Sequence, residues 1–380
     1  MKKLYIIFIL FLINVNPVFG QNQMAKIKFE IKAPNLAPEE VVYITGNHEA
    51  LGNWSPGVVQ LNAGDNDIWN IEIQLPTNFK AEYKFSKGSW ATEAATDNET
   101  IPLNYTLVVE HDTTLHYEIN KWKDQIDFKV EGQITGDVVY HKKLEGAGLK
   151  SRDIIVWLPP DYKTNMNKKY PVLYMHDGQN LFDPKTSSFG VDWQIDETAQ
   201  QLIKENKIKS IIIVGINNTP DRKAEYSPTE KGIAYMKFIV DVVKPFIDKN
   251  YRTLSNRENT AVGGSSMGGL ISFMLAWYYP EVFSKAACMS PAFKYEDFDF
   301  TNAVKEYTGK KKNITLYIDN GSVDLDEELQ PGVDKMIAIL KSLGYKEDKD
   351  FYVVIDKDAT HNEAAWAKRV WKPLTIFFGK

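Results

Sequence analysis

The chain has 380 residues, and its 50 aspartates and glutamates outnumber its 45 lysines and arginines, which gives a net charge of −5. A mildly acidic chain without a basic block is poorly suited to nucleic acid or to an anionic membrane surface. The single cysteine, Cys288, excludes an intramolecular disulfide, so stability must come from buried apolar cores.

The first 20 residues have the pattern of a secretory signal peptide. Two lysines precede the apolar run LYIIFILFLI, and the small-residue segment NPVFG ends at Gly20, the expected cleavage point. The run is too short for a membrane-spanning helix, and the next residue is Gln21 instead of a lipoprotein cysteine. The pattern predicts a secreted or periplasmic protein with no membrane insertion after signal removal.

Residues 24–121 are predicted to form an all-β, immunoglobulin-like sandwich domain. Short runs such as AKIKFEIKA, EEVVYITG, IWNIEIQL and NYTLVVEH alternate apolar with polar residues or are β-branched. Turn-rich segments such as NHEALGNWSPG and NAGDND separate them. About six or seven strands without a helical period indicate two packed sheets.

Residues 128–380 follow a different pattern. The continuous apolar runs IIVWLPP, YPVLYMHDG, SIIIVGINN and NTAVGGSS alternate with helical stretches such as WQIDETAQQLIKEN and GLISFMLAWYYP. Strands buried on both faces that alternate with helices predict a mostly parallel sheet with helices on both sides.

The segment AVGGSSMGGL, residues 261–270, lies between a predicted strand and a predicted helix. This context is typical of a nucleophile elbow, in which the residues two before and two after the serine must be small. One frame satisfies that rule, from Gly264 to Gly268, and it selects Ser266 over Ser265. A phosphate-binding loop would need a lysine, which is absent here.

A serine nucleophile needs a positioned base and an acid, which follow it in the order acid, then histidine. His361 is the one histidine after Ser266. The loop NGSVDLDEE, which follows the predicted strand ITLYID, supplies the acid. Asp324 is predicted for this role, with Asp326 and Asp319 as alternatives.

The reaction also needs two donors for an oxyanion. The backbone N–H of Met267, at the start of the helix after Ser266, is one candidate. Gln179 is the other, because Gly178 lets the chain approach closely after the strand YPVLYMH. His176 and Asp177 precede this turn, but a lone His-Asp pair is a weak metal signal, so we predict no metal.

The second region resembles the esterase-D-like branch of the α/β-hydrolases, which includes feruloyl, acetylxylan and siderophore esterases. The matching stretches are IIVWLPPDY, YPVLYMHDGQNLFD, VDWQIDETAQQL, GGSSMGG, GSVD and THNEAAW. The resemblance implies an α/β-hydrolase fold, the same catalytic set and no cofactor. It also implies substrate-side positions at Asp177, Trp193, Arg222, Glu225 and Tyr226.

The first region resembles starch-binding-type modules of carbohydrate-binding family 20, through VYITGNHEALGNWSP and AEYKFSKGSWATEA. The resemblance implies carbohydrate binding by Trp54, Lys84, Trp90 and Asn98. An indole face offers flat apolar area to a sugar ring. The segment KGSWA around Trp90 departs from the family pattern, and a purely architectural module with core tryptophans is the alternative.

These patterns together predict a secreted serine carboxylic-ester hydrolase that removes feruloyl or acetyl groups from a polysaccharide. Its partners would be a carbohydrate or a small ester. One alternative keeps the chemistry but changes the substrate to a siderophore trilactone of the enterobactin kind. Others are acyl transfer instead of hydrolysis and a catalytically inactive glycan-binding protein.

Overall fold

The computed structural model describes residues 23–98, 101–102, 104–126, 132–188, 190–295 and 298–380. The predicted signal peptide lies outside the described residues. The chain divides into two compact units, Met1–Lys129 and Val130–Lys380. None of the described helices has both the length and the apolar character needed to cross a membrane.

The first unit is built from short strands. They are β1 (Met24–Lys32), β2 (Tyr43–Gly46), β3 (Val59–Gln60), β4 (Asn62–Ala63), β5 (Ile68–Pro76), β6 (Lys80–Ser86), β7 (Ala94–Ala95), β8 (Tyr105–Val108), β9 (Thr113–Glu118) and β10 (Lys121–Trp122). Within the described residues, one four-stranded sheet has the order β4-β5-β1-β9 and another has the order β3-β2-β6-β8, while β7 pairs with β10.

One apolar core joins these two sheets. Along β1, Ile27, Phe29 and Ile31 are fully buried while the residues between them are more exposed, as expected for a strand with one inner face. Phe29 packs edge-on against Tyr83 of the other sheet, with ring centroids 5.0 Å apart. The β-rich domain predicted from the sequence is therefore present, and its immunoglobulin-like arrangement stays a prediction.

The second unit alternates strands and helices. Its strands are β11 (Asp137–Gly146), β12 (Leu149–Leu158), β13 (Val172–His176), β14 (Ile212–Ile216), β15 (Thr260–Ser265), β16 (Lys285–Met289), β17 (Lys294–Tyr295), β18 (Phe298–Asp299), β19 (Thr315–Asn320) and β20 (Phe351–Ile355). Its helices are α1 (Ile195–Lys204), α2 (Arg222–Glu225), α3 (Glu230–Phe238), α4 (Lys244–Asn250), α5 (Met267–Tyr278), α6 (Thr301–Lys305), α7 (Leu325–Ser342), α8 (Glu363–Ala367) and α9 (Trp371–Phe378).

In the part of this unit that the structure describes, eight strands form one sheet in the order β11-β12-β14-β13-β15-β16-β19-β20. β12 pairs antiparallel with both of its neighbours, β11 and β14. From β14 to β20, every neighbouring pair in the sheet is parallel. The mostly parallel sheet predicted from the sequence is confirmed. Cys288 is buried in β16, and burial raises the pKa of its thiol, as expected for an inert core residue.

Each face of the sheet has its own apolar core. Along β12, Ile154 and Val156 belong to one core, whereas Ile155 and Trp157 belong to the other. Helices α3, α5 and α7 contribute to the first core, and α1 and α9 contribute to the second. Because successive strand residues point to opposite faces, a strand covered on both sides must be apolar throughout. This explains the continuous apolar runs of the sequence.

The packing of α5 against the sheet gives a test of core stability. Ile271 of α5 is fully buried, whereas Ile233 of α3 is 53% exposed. We expect Ile271→Ala to cost about 2–5 kcal/mol, because it removes buried methyl groups and leaves a cavity. The control Ile233→Ala should change stability by less than about 0.5 kcal/mol. Urea denaturation of the three proteins measures both, and equal losses would contradict this packing.

Candidate active site

Ser266 occupies a strained turn between β15 and α5. Its backbone has φ 58° and ψ −124°, a conformation that non-glycine residues rarely adopt. A Cβ atom at Gly264 would lie 2.9 Å from the backbone carbonyl of Gly268, too close for any side chain. A Cβ at Gly268 would meet ordinary contacts at 3.4 Å. The turn therefore requires glycine at 264, and the frame that selects Ser266 agrees with it.

His361 is hydrogen-bonded to Asp326, not to the predicted Asp324. The Nδ1 atom of His361 lies 2.7 Å from Oδ1 of Asp326. Asp324 is the exposed N-cap residue of α7, and the first turn of that helix carries the fully buried Asp326 inward. The prediction of Asp324 as the acid is corrected, because sequence order could not show which side of the helix start faces His361.

The carboxylate of Asp326 is held from its other side as well. Its Oδ2 accepts hydrogen bonds from the backbone N–H of Gly321, at 2.8 Å, and from the hydroxyl of Ser290, at 3.2 Å. Asp319, the other alternative, is fully buried and bound to Arg369 and to the hydroxyl of Tyr317. It is therefore committed to a structural ion pair.

The sheet explains how these groups meet. Ser266, Ser290, Asp326 and His361 follow β15, β16, β19 and β20, which are consecutive parallel neighbours in the sheet. The carboxyl ends of parallel strands lie at one edge, where open α/β sheets place their sites. Ser266 is tied to the next strand by its N–H, which donates to the carbonyl of Met289 at 2.9 Å.

Sequence reasoning missed Ser290. This fully buried residue has φ 41°, and its hydroxyl accepts from the indole N–H of Trp366 at 3.0 Å while donating to Asp326. It directly follows β16, at the same sheet edge as Ser266. A polar residue at the end of an apolar strand, before Pro291, was the available signal.

Trp193 supports the histidine loop instead of facing a substrate. It is 2% exposed and packs against Trp366, with ring centroids 5.5 Å apart. Trp366 in turn meets the ring of His361 edge-on at 5.0 Å. The predicted substrate-side role of Trp193 is corrected, because its side chain is enclosed in the core.

The two predicted oxyanion donors lie at the same edge of the sheet. Met267 is the first residue of α5, where a helix leaves its backbone N–H groups without intrahelical acceptors. Gln179 lies in the 3-10 turn Gly178–Asn180, directly after β13, the neighbour of β15. A Cβ at Gly178 would come within 2.5 Å of the backbone of Gly215. The close approach expected of this glycine is present, and the donor role of both N–H groups stays a prediction.

Asp177 and Arg222 form a bidentate ion pair beside the elbow. Nε and Nη2 of Arg222 donate to the two carboxylate oxygens at 2.8 and 2.7 Å, and Asn218 adds a third donor at 2.6 Å. Burial by itself would raise the pKa of Asp177, but the attraction and hydrogen bonds of Arg222 outweigh it and hold the pKa below its usual range. Since Arg222 keeps 32% of its side chain exposed, this pair can meet a ligand.

Glu225 and Tyr226 are both fully buried, so their predicted substrate-side roles are corrected. Both carboxylate oxygens of Glu225 accept from Arg152, at 2.7 and 2.8 Å, which leaves no free group for a substrate. Tyr226 packs against His176, with ring centroids 5.3 Å apart. Burial lowers the pKa of His176 to about 3, so its ring is neutral.

Glu363, two residues after His361, is a buried acid that the sequence did not single out. It is 5% exposed, and its Oε1 accepts from Nδ2 of Asn180 at 3.0 Å. Burial is the main cause that raises its pKa to about 7, and repulsion from Asp177 adds to it. This carboxyl group therefore changes its charge near neutral pH.

In the first unit, Trp54 and Trp90 lie together. Both are partly exposed, and their rings are 6.4 Å apart at an angle of 33°. Asn98 is exposed, in a turn. Lys84 is 7% exposed, and its ammonium group pairs with Glu93 at 3.1 Å. Its predicted sugar contact is corrected, because an internal carboxylate already takes the charge.

Glu363 generates a prediction about stability and pH. The folded protein retains a proton on this group that the unfolded chain, with the ordinary pKa of 4.5, has lost. Stability therefore falls as pH rises from about 4.5 to about 7. Glu363→Gln keeps the acceptor for Asn180 and cannot ionise, so it should gain about 2–3 kcal/mol over the wild type between about pH 5 and pH 8.

Urea denaturation of the wild type and of Glu363→Gln at about pH 5 and at about pH 8 measures this difference in stability. The substitution Glu327→Gln, at an exposed position in the first turn of α7, controls for the exchange itself. A difference between Glu363→Gln and the wild type that does not change with pH would refute the raised pKa.

Comparison with known proteins agrees with this geometry. Residues 149–373, more than half of the chain, match the esterase family model described as "Putative esterase". Residues 24–118 match the model of the starch binding domain.

Individual proteins are similar over the same regions. An endo-1,4-beta-xylanase/feruloyl esterase of Xylanibacter ruminicola is 26% identical over 59% of this chain and 29% of its own length. An iron(III) salmochelin esterase of Escherichia coli is 23% identical over 73% of this chain and 68% of its own. The solved structure of a ferulic acid esterase, 20% identical, superposes with a TM-score of 0.54 over 64% of this chain and 99% of that one. The chain therefore belongs to the esterase family, as a carboxylic ester hydrolase that carries a starch-binding-type domain before its hydrolase region.

Proposed function

We propose that the protein is a secreted or periplasmic serine esterase that removes feruloyl or acetyl groups from a polysaccharide. Ser266 would be the nucleophile, His361 the base and Asp326 the acid. The observation that carries this proposal is the 2.7 Å hydrogen bond between His361 and Asp326, at the sheet edge where Ser266 occupies its strained turn.

The hydrogen bond supports the proposed role of His361 as the base. With Nδ1 bound to Asp326, the proton of a neutral imidazole stays on Nδ1 and leaves Nε2 free to accept one. Nε2 takes the hydroxyl proton of Ser266 as the serine oxygen attacks the ester carbonyl. The buried carboxylate of Asp326 stabilises the resulting imidazolium.

The tetrahedral intermediate then places a negative charge on the former carbonyl oxygen. The backbone N–H groups of Met267 and Gln179 would donate to it, since a preorganised donor contributes about 3–4 kcal/mol to such a transition state. Collapse transfers the proton from His361 to the departing alcohol and leaves an acyl-enzyme on Ser266. Water deprotonated by the same histidine releases the acid.

Two observations support a polysaccharide substrate. One relative is an endo-1,4-beta-xylanase/feruloyl esterase, and residues 24–118 match a starch-binding domain. The Trp54 and Trp90 rings together offer apolar faces suited to the C–H side of sugar rings. A domain that holds the polymer would raise the local concentration of its ester groups.

A siderophore trilactone is the second candidate substrate. The similarity to the iron(III) salmochelin esterase covers 73% of this chain, more than the similarity to the feruloyl esterase relative. The exposed part of Arg222 beside Asp177 is a cation that an anionic ligand could approach. Either substrate would use the same three catalytic residues.

The catalytic assignment predicts a contrast between two neighbouring aspartates. Ser266→Ala should abolish ester hydrolysis. Asp326→Asn should lower kcat by roughly 10³–10⁴-fold, because the amide favours the wrong tautomer of His361. The matched control Asp324→Asn, at the exposed N-cap of α7, should retain most activity.

The assay uses p-nitrophenyl acetate, methyl ferulate and a catecholate trilactone. Preference for methyl ferulate supports the polysaccharide ester, and preference for the trilactone favours the second candidate. Equal activity of the wild type and Ser266→Ala on every substrate would contradict the proposed catalytic triad. Absence of hydrolysis by the wild type would leave the glycan-binding alternative.

The tryptophan pair predicts glycan binding by the first unit. Electrophoresis of the protein through gels that contain soluble starch or xylan measures it. We expect retardation of the wild type, weakened roughly fivefold in Trp54→Ala and in Trp90→Ala, since an aromatic contact contributes about 1 kcal/mol. Trp371→Ala, which removes a 47% exposed tryptophan of the hydrolase unit, is the control. Unretarded wild type on both glycans would indicate an architectural domain.

A further inference from the structure

Three carboxylates lie together around the start of α1, and the catalytic proposal uses none of them. They belong to Asp192, Asp196 and Glu197, and one oxygen from each lies within 4.8 Å of the other two. Asp192 is 4% exposed and Asp196 is fully buried. Acidic side chains are rarely buried unless they are paired, so this group requires an explanation.

Two of the carboxylate oxygens lack a donor. Oδ2 of Asp196 accepts from the backbone N–H of Thr135 at 2.7 Å, and Oε1 of Glu197 accepts from the hydroxyl of Thr135 at 2.8 Å. Oδ1 of Asp196 and Oε2 of Glu197 are buried, and neither meets a hydrogen-bond donor among the described residues. A buried oxygen without a hydrogen-bond donor costs about 1–3 kcal/mol of stability or more, unless a cation or a proton satisfies it.

Among the described residues, no positive charge is paired with this group. In the part of the chain that the structure describes, no salt bridge reaches any of the three carboxylates. The polar contacts that do reach them come from Thr135, Gln133 and the backbone N–H of Gln194.

We propose that Asp192, Asp196 and Glu197 bind a calcium ion. Calcium takes oxygen ligands at about 2.3–2.6 Å, so two ligands on opposite sides of the ion stand about 4.6–5.2 Å apart. Three oxygens within 4.8 Å of one another fit inside that shell. Magnesium usually relies on one or two carboxylates together with waters or phosphates, so a set of three carboxylates suits calcium better.

A shared proton is the competing occupant. Burial first, and the neighbouring carboxyl group of Glu197 second, raise the pKa of Asp196 to about 8. Such a pair would satisfy the two free oxygens without an ion. It would leave outside the arrangement Asp192, whose Oδ2 accepts a 3.2 Å hydrogen bond from the backbone N–H of Gln194. An ion accounts for all three carboxylates together.

The ion would stabilise the scaffold of the catalytic histidine. It would join the segment at Thr135 to the loop that carries Trp193, whose neighbours in sequence are Asp192 and Gln194. The N–H of Trp193 donates to the carbonyl of Asn180 at 2.9 Å, and its ring packs against Trp366 beside His361. Calcium binding should therefore raise the stability of the hydrolase unit.

The test needs no ester substrate, so its failure and that of the proposed esterase reaction are distinguishable. The purified protein is stripped with EDTA at about pH 9, above the pKa of about 8 of Asp196, and its Tm is measured against added CaCl2. We expect Tm to rise with calcium and to rise less with MgCl2 at the same concentration. TbCl3 supplies a second readout, because excitation of Trp193 beside Asp192 should sensitise bound terbium, and calcium should quench that emission.

Asp192→Asn and Glu197→Gln should lose the calcium-dependent rise in Tm and the terbium emission. Two variants are used because Asp196, which holds the N–H of Thr135, is needed for local folding. Glu205→Gln, the C-cap residue of the same helix α1, is the matched control and should respond like the wild type. If the Tm of the wild type does not change with calcium, the cluster holds a shared proton and the proposal is overturned. An unchanged calcium response in both variants, or a larger response to magnesium, would overturn it as well.

Discussion

The hydrogen bond between Asp326 and His361 joins the first turn of α7 to the loop before α8, 35 positions apart in sequence, and the candidate site is arranged around it. It forms because β19 and β20 are parallel neighbours, so the segments that follow them leave the sheet at the same edge. The carboxylate is fully buried. A buried charge is tolerated only when its oxygens are satisfied, and here His361, Gly321 and Ser290 satisfy them.

Ser290 connects this pair to the turn that carries Ser266. Its hydroxyl contacts Asp326, Trp366 and Arg369, while the preceding Met289 accepts the N–H of Ser266. Arg369 in turn pairs with Asp319, fully buried at the end of β19. This network of buried hydrogen bonds holds Asp326 and His361 in one geometry. The cost of burying these charges is offset by the packing of the two apolar cores.

The patterns that are local in sequence were predicted well. Continuous apolar runs gave the strands of a two-sided parallel sheet, and the spacing of glycines selected Ser266, because a strained turn imposes its steric rule on adjacent residues. The two family resemblances extended this reading to an esterase region and a starch-binding-type domain, both of which the family models match. The signal peptide and the immunoglobulin-like arrangement of the sandwich stay predictions.

The errors share one physical cause, which is that the direction of a side chain depends on distant packing. Asp324 and Asp326 are two residues apart. The position at which α7 begins, and its packing against the sheet, decide which of the two side chains points inward. Lys84, Glu225 and Trp193 were expected at surfaces, yet their partners Glu93, Arg152 and Trp366 enclose them. The sequence by itself determined the order of elements, the strained serine turn and the identity of the histidine, since these follow from backbone sterics and chain order. The tertiary structure decided which acid meets that histidine and which polar side chains are buried, because those contacts exist only after the strands align.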